Sequence, residues 1–326
     1  MEARRAYPTI FYNGKDISTT IDKYLESFQY TDPASGESDS LSITLGNWDN
    51  NWLCGWFPDK GATLTARVHA YNWTRPGETL KLMCGAFSLD DISFSGPPDI
   101  LNMGAISAPA SEAFKTTQRT KTWEGATLQQ MASDIAGRYK LALVYDGPDI
   151  TIPVTEQSGV EDSVFLANIC KEYGLCLKVY NHKLVVFDRE RYKAKGAVAT
   201  INKGEMLSYT FNTTLSGIYT GGELVYTTKN GKETTYKTGK GPRILKLNTS
   251  ASNAAEAKSK LDAAIAEANH GETTLSFSTM GKPLLVSGQN INITGLGRAN
   301  GKYYIDKATH TVGATYTTAF ECSKVQ

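Results

Sequence analysis

The chain has 326 residues, of which 40% are hydrophobic and 21% charged, and this allows two or three globular domains. Its 34 basic and 33 acidic residues leave a formal charge of +1, which argues against a protein whose main task is to coat nucleic acid. No apolar run approaches the length of a membrane span, and polar residues stand where a secretory signal would be apolar. We therefore expect a protein made in the cytosol.

The first third of the chain predicts antiparallel β-structure. Apolar residues alternate with small polar ones over 41–45 and 64–68, which is typical of half-buried strands. Asn13-Gly14 and the Pro- and Gly-containing segment 32–36 predict turns. Many short strands separated by turns indicate a sandwich or a barrel.

The pattern becomes helical near Trp123. Thr127–Gln130 is a capping-box sequence, and apolar residues then recur at helical spacing up to Tyr139. A second helix is predicted from Glu161, and a strand follows each helix. The two helix-strand units repeat each other, because the apolar positions of the first correspond to those of the second: Met131 to Phe165, Ile135 to Ile169, Tyr139 to Tyr173, Leu141 to Leu175 and Leu143 to Leu177.

The remainder returns to β-structure with one inserted helix, predicted at about 253–269. Lys229-Asn230-Gly231-Lys232 predicts a tight hairpin turn. Both arms of this hairpin look polar on both faces, so we expect it to project into solvent or against a partner. Three domains are predicted: a β-domain at 1–110, an α+β domain with two similar units at 111–190, and a second β-domain at 191–326.

No pattern of catalytic or metal-binding residues is recognised. The odd number of cysteines, without a C-x-x-C pair, predicts reduced and mostly buried thiols. The histidines lack the spacing of a zinc site, and no G-x-S-x-G sequence is present. Asp90-Asp91 lies between strand residues, where a turn or β-bulge accounts for it. We predict no catalytic residue, no metal and no cofactor; the residues considered were His69, His182, His270, His310, Cys54, Cys84, Cys170, Cys176 and Cys322.

The densest unusual segment holds four aromatic residues: Trp48, Trp52, Trp56 and Phe57. Two interpretations stay open. The rings can plug one end of a barrel, or any ring that stays exposed can form a protein–protein contact.

Several segments, taken in their order along the chain, resemble the late control D family of baseplate hub proteins in contractile phage tails and contractile bacteriocins. The resemblance is closest to the short hub proteins of Gram-positive prophages and spans nearly the whole chain. The segments that carry it are 35–41, 55–62, 84–92, 123–124, 157–158, 165–166, 173–175, 281–285 and 301–305.

The resemblance implies two tube-type antiparallel β-barrel domains flanking the small α+β domain. It implies a homotrimer whose six barrel domains form a pseudo-sixfold ring between the tail tube protein and the central spike protein, in contact with other baseplate proteins. It implies assembly in the bacterial cytoplasm into a phage tail or a bacteriocin, with DNA only as possible cargo through the lumen. The resemblance brings no catalytic residues. Because the chain stops at Gln326, we expect any spike or lytic activity to belong to separate proteins.

Two other functions remain as alternatives. One is a tail-associated protein that binds or degrades peptidoglycan, with Glu124 or Glu156 as its acid. The other is a β-rich adhesin, which the missing secretory signal disfavours.

Overall fold

The computed structural model describes residues 3–107, 113–227 and 231–325, and its first β-block is a set of antiparallel strands. The strands lie in the order β3-β4-β7-β6-β5-β1, with β2 beside the end of β1. Leu41, Ile43 and Leu45 are buried, as their alternation with polar residues predicts. The elements are β1 (Arg5–Tyr12), β2 (Lys15–Asp16), α1 (Ser18–Ile21), β3 (Leu25–Pro33), β4 (Ser40–Gly46), β5 (Thr63–Tyr71), β6 (Thr79–Ser95) and β7 (Ile100–Ile106).

The middle block consists of two strand-helix-strand units. The predicted capping box is confirmed, because the Thr127 hydroxyl accepts from Gln130 N at 3.2 Å and Thr127 N donates to Gln130 Oε1 at 2.9 Å. The elements are α2 (Ala113–Thr116), β8 (Gln118–Thr127), α3 (Leu128–Arg138), β9 (Ala142–Asp146), β10 (Thr151–Glu161), α4 (Asp162–Glu172), β11 (Leu175–Tyr180), β12 (Lys183–Asp188) and α5 (Arg189–Ala194).

The predicted repeat in this block is present and longer than the sequence indicated. The unit β8-α3-β9 corresponds to β10-α4-β11, so each helix also has a strand before it. The preceding strands β8 and β10 pair with each other, whereas β9 and β11 flank β12 in a separate sheet. Both helices bury their apolar faces in one shared core.

The last block contains a second set of long strands and an inserted unit. The helix predicted at about 253–269 is α6, and it packs on its own three-stranded sheet β16-β15-β17. The elements are β13 (Ala199–Asn202), a 3-10 turn (Lys203–Glu205), β14 (Met206–Thr213), β15 (Gly221–Thr227), β16 (Glu233–Gly239), β17 (Ile244–Leu247), α6 (Ala254–Asn269), β18 (Thr273–Met280), β19 (Asn290–Thr294), a second 3-10 turn (Gly297–Ala299), β20 (Gly301–Val312) and β21 (Tyr316–Lys324).

The two β-blocks have the same strand order. The last block runs β14-β18-β21-β20-β19-β13. When the strands of each block are numbered by their position in the chain, leaving out the short β2 and the inserted unit, both blocks show the same order. The end pair differs in direction, since β1 and β5 are antiparallel but β13 and β19 are parallel. The inserted unit stands between β14 and β18, where the first block has only the short β3–β4 connection.

The two blocks also match in register. One bulge lies at Glu26 in β3 and one at Leu207 in β14, and a second pair lies at Asp90 in β6 and Asp306 in β20. Gly61 and Gly288, both with positive φ, donate their N–H to Leu89 O and Ile305 O respectively. These matches align the blocks residue by residue. In particular, Phe211 corresponds to Tyr30 and Phe94 to His310.

The two blocks form one continuous sheet, because β20 pairs with β3 from Lys307 to Val312. One face of this sheet covers the cores of both blocks. Along β14, β18, β21, the part of β20 that pairs with β3, and then β3, β4, β7 and the end of β6, the opposite face is mostly hydroxyl and amide side chains, with Asp91, Lys307 and Glu321 as charged residues. On β1, β5 and the start of β6 the same face carries Arg5, Arg67 and Lys81. Its uncharged members include Ser27, Gln29, Thr31, Ser42, Thr44, Ser93, Asn102, Ser208, Thr210, Asn212, Ser276, Ser278, Thr309 and Thr311.

The mainly β fold with an α+β part is confirmed. Strands β7, β8, β13 and β17 were not predicted from the sequence, and β3 continues through Pro33, where a turn was predicted. Within the described ranges, α6 is the longest helix with 16 residues, and no helix combines the length and apolarity that crossing a membrane requires.

Candidate assembly interfaces

The aromatic loop, defined as residues 47–58, both fills the first core and faces solvent. Trp52 is only 7% exposed and belongs to the core, whereas Trp48 is 62% and Phe57 54% exposed, and Trp56 is exposed as well. Trp48 stacks on Tyr24 at 4.8 Å between ring centroids. Trp52 therefore packs in the first core, and both a plug role for the loop and a contact role for its other rings stay predictions.

Phe57 of the aromatic loop extends over the end of β6. Its ring stacks on Phe94 at 5.7 Å between centroids. A groove of 390 Å³ lies beside Phe94, with Asn47 and Leu53 of the loop along its wall. This end of β6 pairs with β7 on one side, while β5 pairs with β6 only as far as Ser88. Among the described residues, one backbone edge of β6 is thus open from Asp91 to Ser95.

Strand β14 is a second open edge. In the described part of the chain it pairs with β18 alone. Thr214 N donates to Glu272 O, so by the alternation of antiparallel pairs the N–H groups of Tyr209 and Phe211 point away from β18. The side chains of these two residues are 45% and 37% exposed. A long apolar edge strand without a partner presents free backbone N–H and C=O groups that can pair with a strand of another chain.

The equivalent edge in the first block is already filled. There β3 takes β20 as its neighbour, with Tyr30 directly opposite His310. Tyr30 is 2% exposed and stacks on His310 at 6.2 Å between centroids. The imidazole Nε2 lies 3.1 Å from Leu285 O, to which it donates, because a carbonyl can only accept. The loop that carries Leu285 joins β18 to β19, as the aromatic loop joins β4 to β5.

The far edge of the sheet, at β1, is blocked. Ile10 points its backbone groups away from β5, since its N–H reaches Ser18 Oγ and its carbonyl accepts from Ile17 N. Pro8, two residues earlier, faces the same side and has no N–H to donate. Proline on an edge strand is a known protection against pairing with other chains.

A buried ionic cluster joins the three blocks. Lys178 of β11 forms ion pairs with Asp32 and with Asp39 (2.9 Å), and Ser287 N donates to Asp32 Oδ2 at 2.8 Å. Burial raises the pKa of Asp39 to about 6, although the Lys178 charge and a hydrogen bond from Tyr30 act in the opposite direction. Burial lowers the pKa of Lys178, but the two carboxylates outweigh it and raise that pKa. The cluster fixes the position of the middle block on both β-blocks.

The predicted hairpin exists as the antiparallel pair β15–β16, and part of its turn lies outside the described residues, namely Lys229 and Asn230. Gly231 and Lys232 are described and exposed. The prediction that both arms are polar on both faces is wrong, because Leu224 and Tyr226 of β15 are buried against α6. Projection of the tip against a partner remains a prediction.

The residues considered for chemistry lie in several separate parts of the described chain. Glu124 and Glu156 are exposed on the β8–β10 ribbon, where water has free access. Asp90 is the bulge residue that the sequence analysis allowed for. His270 approaches Asp306 and Ser323 through the same Nε2 atom, which is not the arrangement of a proton relay. Over the described ranges no group of three potential ligands could hold a metal, and Cys54 is exposed while the other four cysteines are buried free thiols.

Comparisons with known proteins agree with the fold. No protein-family model matches the chain. It is 32% identical over 175 residues to the "Probable baseplate hub protein" of Escherichia phage 186, covering 53% of this chain and 42% of that protein. The corresponding protein of Escherichia phage P2 is 28% identical over 179 residues, 54% of this chain and 43% of that protein. The chain thus spans less than half the length of either relative.

The fold is that of a solved tail protein. The crystal structure of the tail protein from Neisseria meningitidis MC58 superposes with a TM-score of 0.75 at 12% identity, over 98% of this chain and 96% of that one. The chain is thus similar over about half of its length to two phage proteins named as probable baseplate hub proteins, and it shares its fold with the Neisseria tail protein.

Proposed function

We propose that the chain is a structural hub subunit of a contractile tail, that three copies close into a ring of six β-blocks, and that this ring joins the tail tube to the central spike. The observation that carries the proposal is one filled and one open copy of the same strand junction. Within the chain, β20 of the second block fills the edge of β3. The equivalent edge, β14, and the strand end equivalent to the one that fills it, the end of β6, have no such partner in the described part of the chain.

Repeating the filled junction between chains gives a closed ring. If β6 of one copy pairs with β14 of the next, every block meets its neighbours in the same way, as rotational symmetry requires. The filled junction sets the register, because Thr31 lies opposite Thr309. Their equivalents are Asn212 and Ser93, which would then lie opposite each other across two copies.

The polar face of the sheet would line the channel of this ring. A wall of hydroxyl and amide groups offers little fixed charge to a passing polymer. Lys307 on this face is 3.3 Å from Glu37 and 4.0 Å from Glu321, so its charge is partly neutralised. Such a wall suits passage of DNA or protein without strong binding.

Disulfide trapping tests the register. Ser93→Cys with Asn212→Cys, in a Cys54→Ser background, should give covalent trimers on oxidation, since pairs of this non-hydrogen-bonded type bring Cα atoms to about 4.5 Å. Thr31→Cys with Thr309→Cys is the matched control and should form a link within one chain. Efficient oxidation of the control, with only monomer from the Ser93/Asn212 variant, would overturn the proposed ring.

A further inference from the structure

We infer that Phe211 of one copy packs on the Phe94–Phe57 pair of the next, so that the aromatic loop closes the joint between neighbouring subunits. This inference rests on the proposed ring and adds to it the side chains that hold the joint together. It also accounts for the exposed rings of the aromatic loop, which are only partly covered in an isolated chain.

The filled junction provides the template. Tyr30 of β3 stacks on His310 of β20, and His310 Nε2 in turn donates to the backbone carbonyl of Leu285 in the loop between β18 and β19. The junction thus has three layers: the ring of a β3 residue, the ring of a β20 residue, and a residue of the neighbouring loop. Burial is nearly complete there, since Tyr30 is 2% exposed and His310 is fully buried.

Two of these three layers are preassembled at the open end of β6. Phe94 occupies the position of His310, and Phe57 of the aromatic loop stacks on Phe94 at 5.7 Å. The missing third layer is the counterpart of Tyr30. That counterpart is Phe211, which is on the core-side face of β14 opposite the buried Leu275, yet remains 37% exposed.

The filled junction contains polar aromatic residues, whereas the open edges carry apolar ones. Tyr30 donates its hydroxyl to Asp39 at 2.7 Å, and His310 makes polar contacts inside the chain. At the open edges phenylalanine replaces both residues, so no buried polar group would need a partner when the joint closes. Aromatic residues in the centre of an interface carry a large share of its affinity.

The occupant is therefore a second copy of this chain. Because β14 and the end of β6 belong to different blocks of one chain, each copy supplies one half of the joint on each side. The contact is heterologous, and it closes into a ring when the rotation matches.

Alanine variants test the contact through the trimer–monomer equilibrium, measured by sedimentation or mass photometry. Phe211→Ala and Phe57→Ala should each raise the dissociation constant about tenfold to a hundredfold. The double variant should raise the dissociation constant by less than the product of the two single factors, because both substitutions remove the same contact. Val154→Ala, at a 65% exposed valine on β10, is the control and should leave the equilibrium unchanged.

The outcomes separate this inference from the ring itself. If the Ser93/Asn212 disulfide forms but Phe211→Ala and Phe57→Ala assemble as tightly as the unmodified chain, the ring stands and the aromatic contact is wrong. If the disulfide fails as well, both proposals fall. Unchanged melting temperatures of the monomeric variants confirm that lost assembly comes from the surface and not from unfolding.

Discussion

Two buried titratable residues, Asp39 and His310, both contact Tyr30 and respond to pH in opposite directions. Burial raises the pKa of Asp39 to about 6 and lowers the pKa of His310 to about 4. The folded state binds the Asp39 proton more tightly than the unfolded state, so this residue's contribution to stability falls as pH rises from about 4 to 6. The folded state resists protonating His310, so its contribution falls as pH decreases from about 6.5 to 4.

We predict that replacing one of these two residues reveals the pH dependence of the free energy of unfolding that the other residue contributes. Relative to the unmodified chain, Asp39→Asn should make the free energy of unfolding fall more steeply as pH decreases from 6 to 4. His310→Gln should instead make the free energy of unfolding fall less steeply over the same pH range. Urea unfolding at several pH values measures both, and the limit for a two-unit shift is about 3 kcal/mol. Identical slopes in both variants would contradict the assignment.

At the scale of single elements, the two repeated helices differ in how they begin. Thr127 caps α3 with its side chain, whereas the N-cap residue of α4, Glu161, makes no side-chain cap hydrogen bond. Instead, Asp162 in the first turn of α4 is held by Arg138, Tyr139 and Gln157. Burial acts to raise the pKa of Asp162, but these hydrogen bonds and the Arg138 charge prevail and lower it.

We predict that Thr127→Ala lowers the free energy of unfolding by about 1 kcal/mol, the usual cost of a lost N-cap. Glu161→Ala is the matched control at the same position of the repeat and should cost clearly less. Denaturant unfolding of the two variants makes the comparison. Equal losses would mean that the capping box does not stabilise α3.

At the scale of the whole molecule, Lys178 links the three blocks through a site that water barely reaches. Its side chain bonds to Asp32 and Pro33 of the first block and approaches Ser287 of the last. Removing one member of a buried ionic cluster leaves the remaining charges uncompensated.

We predict that Lys178→Ala destabilises the chain by about 3–5 kcal/mol at pH 7, the range for breaking a buried ion pair. Lys183→Ala, at an exposed lysine in the partner strand β12, should change stability little. Thermal and chemical unfolding followed by tryptophan fluorescence would show the difference. A loss no larger than that of the control would show that the blocks are held together by other contacts.

The sequence by itself determined the local elements of this protein. Alternation along β4 and β5, the capping box at Thr127 and the apolar face of α6 depend on neighbours within a few residues, and they predict the same elements that the structure contains. Apolar and polar residues alternate likewise in β14, where Leu207, Tyr209 and Phe211 are separated by Ser208 and Thr210.

Only the tertiary structure decided which strands meet and which edges stay open. Tyr30 and His310 are 280 positions apart in the chain, and no periodicity can indicate that they pair. The same pattern of alternating residues describes β3, whose outer edge is covered, and β14, whose outer edge is not. Hydrophobic periodicity reports that a side chain faces a core, but pairing is fixed by backbone hydrogen bonds between distant segments, which leave no local trace in the sequence.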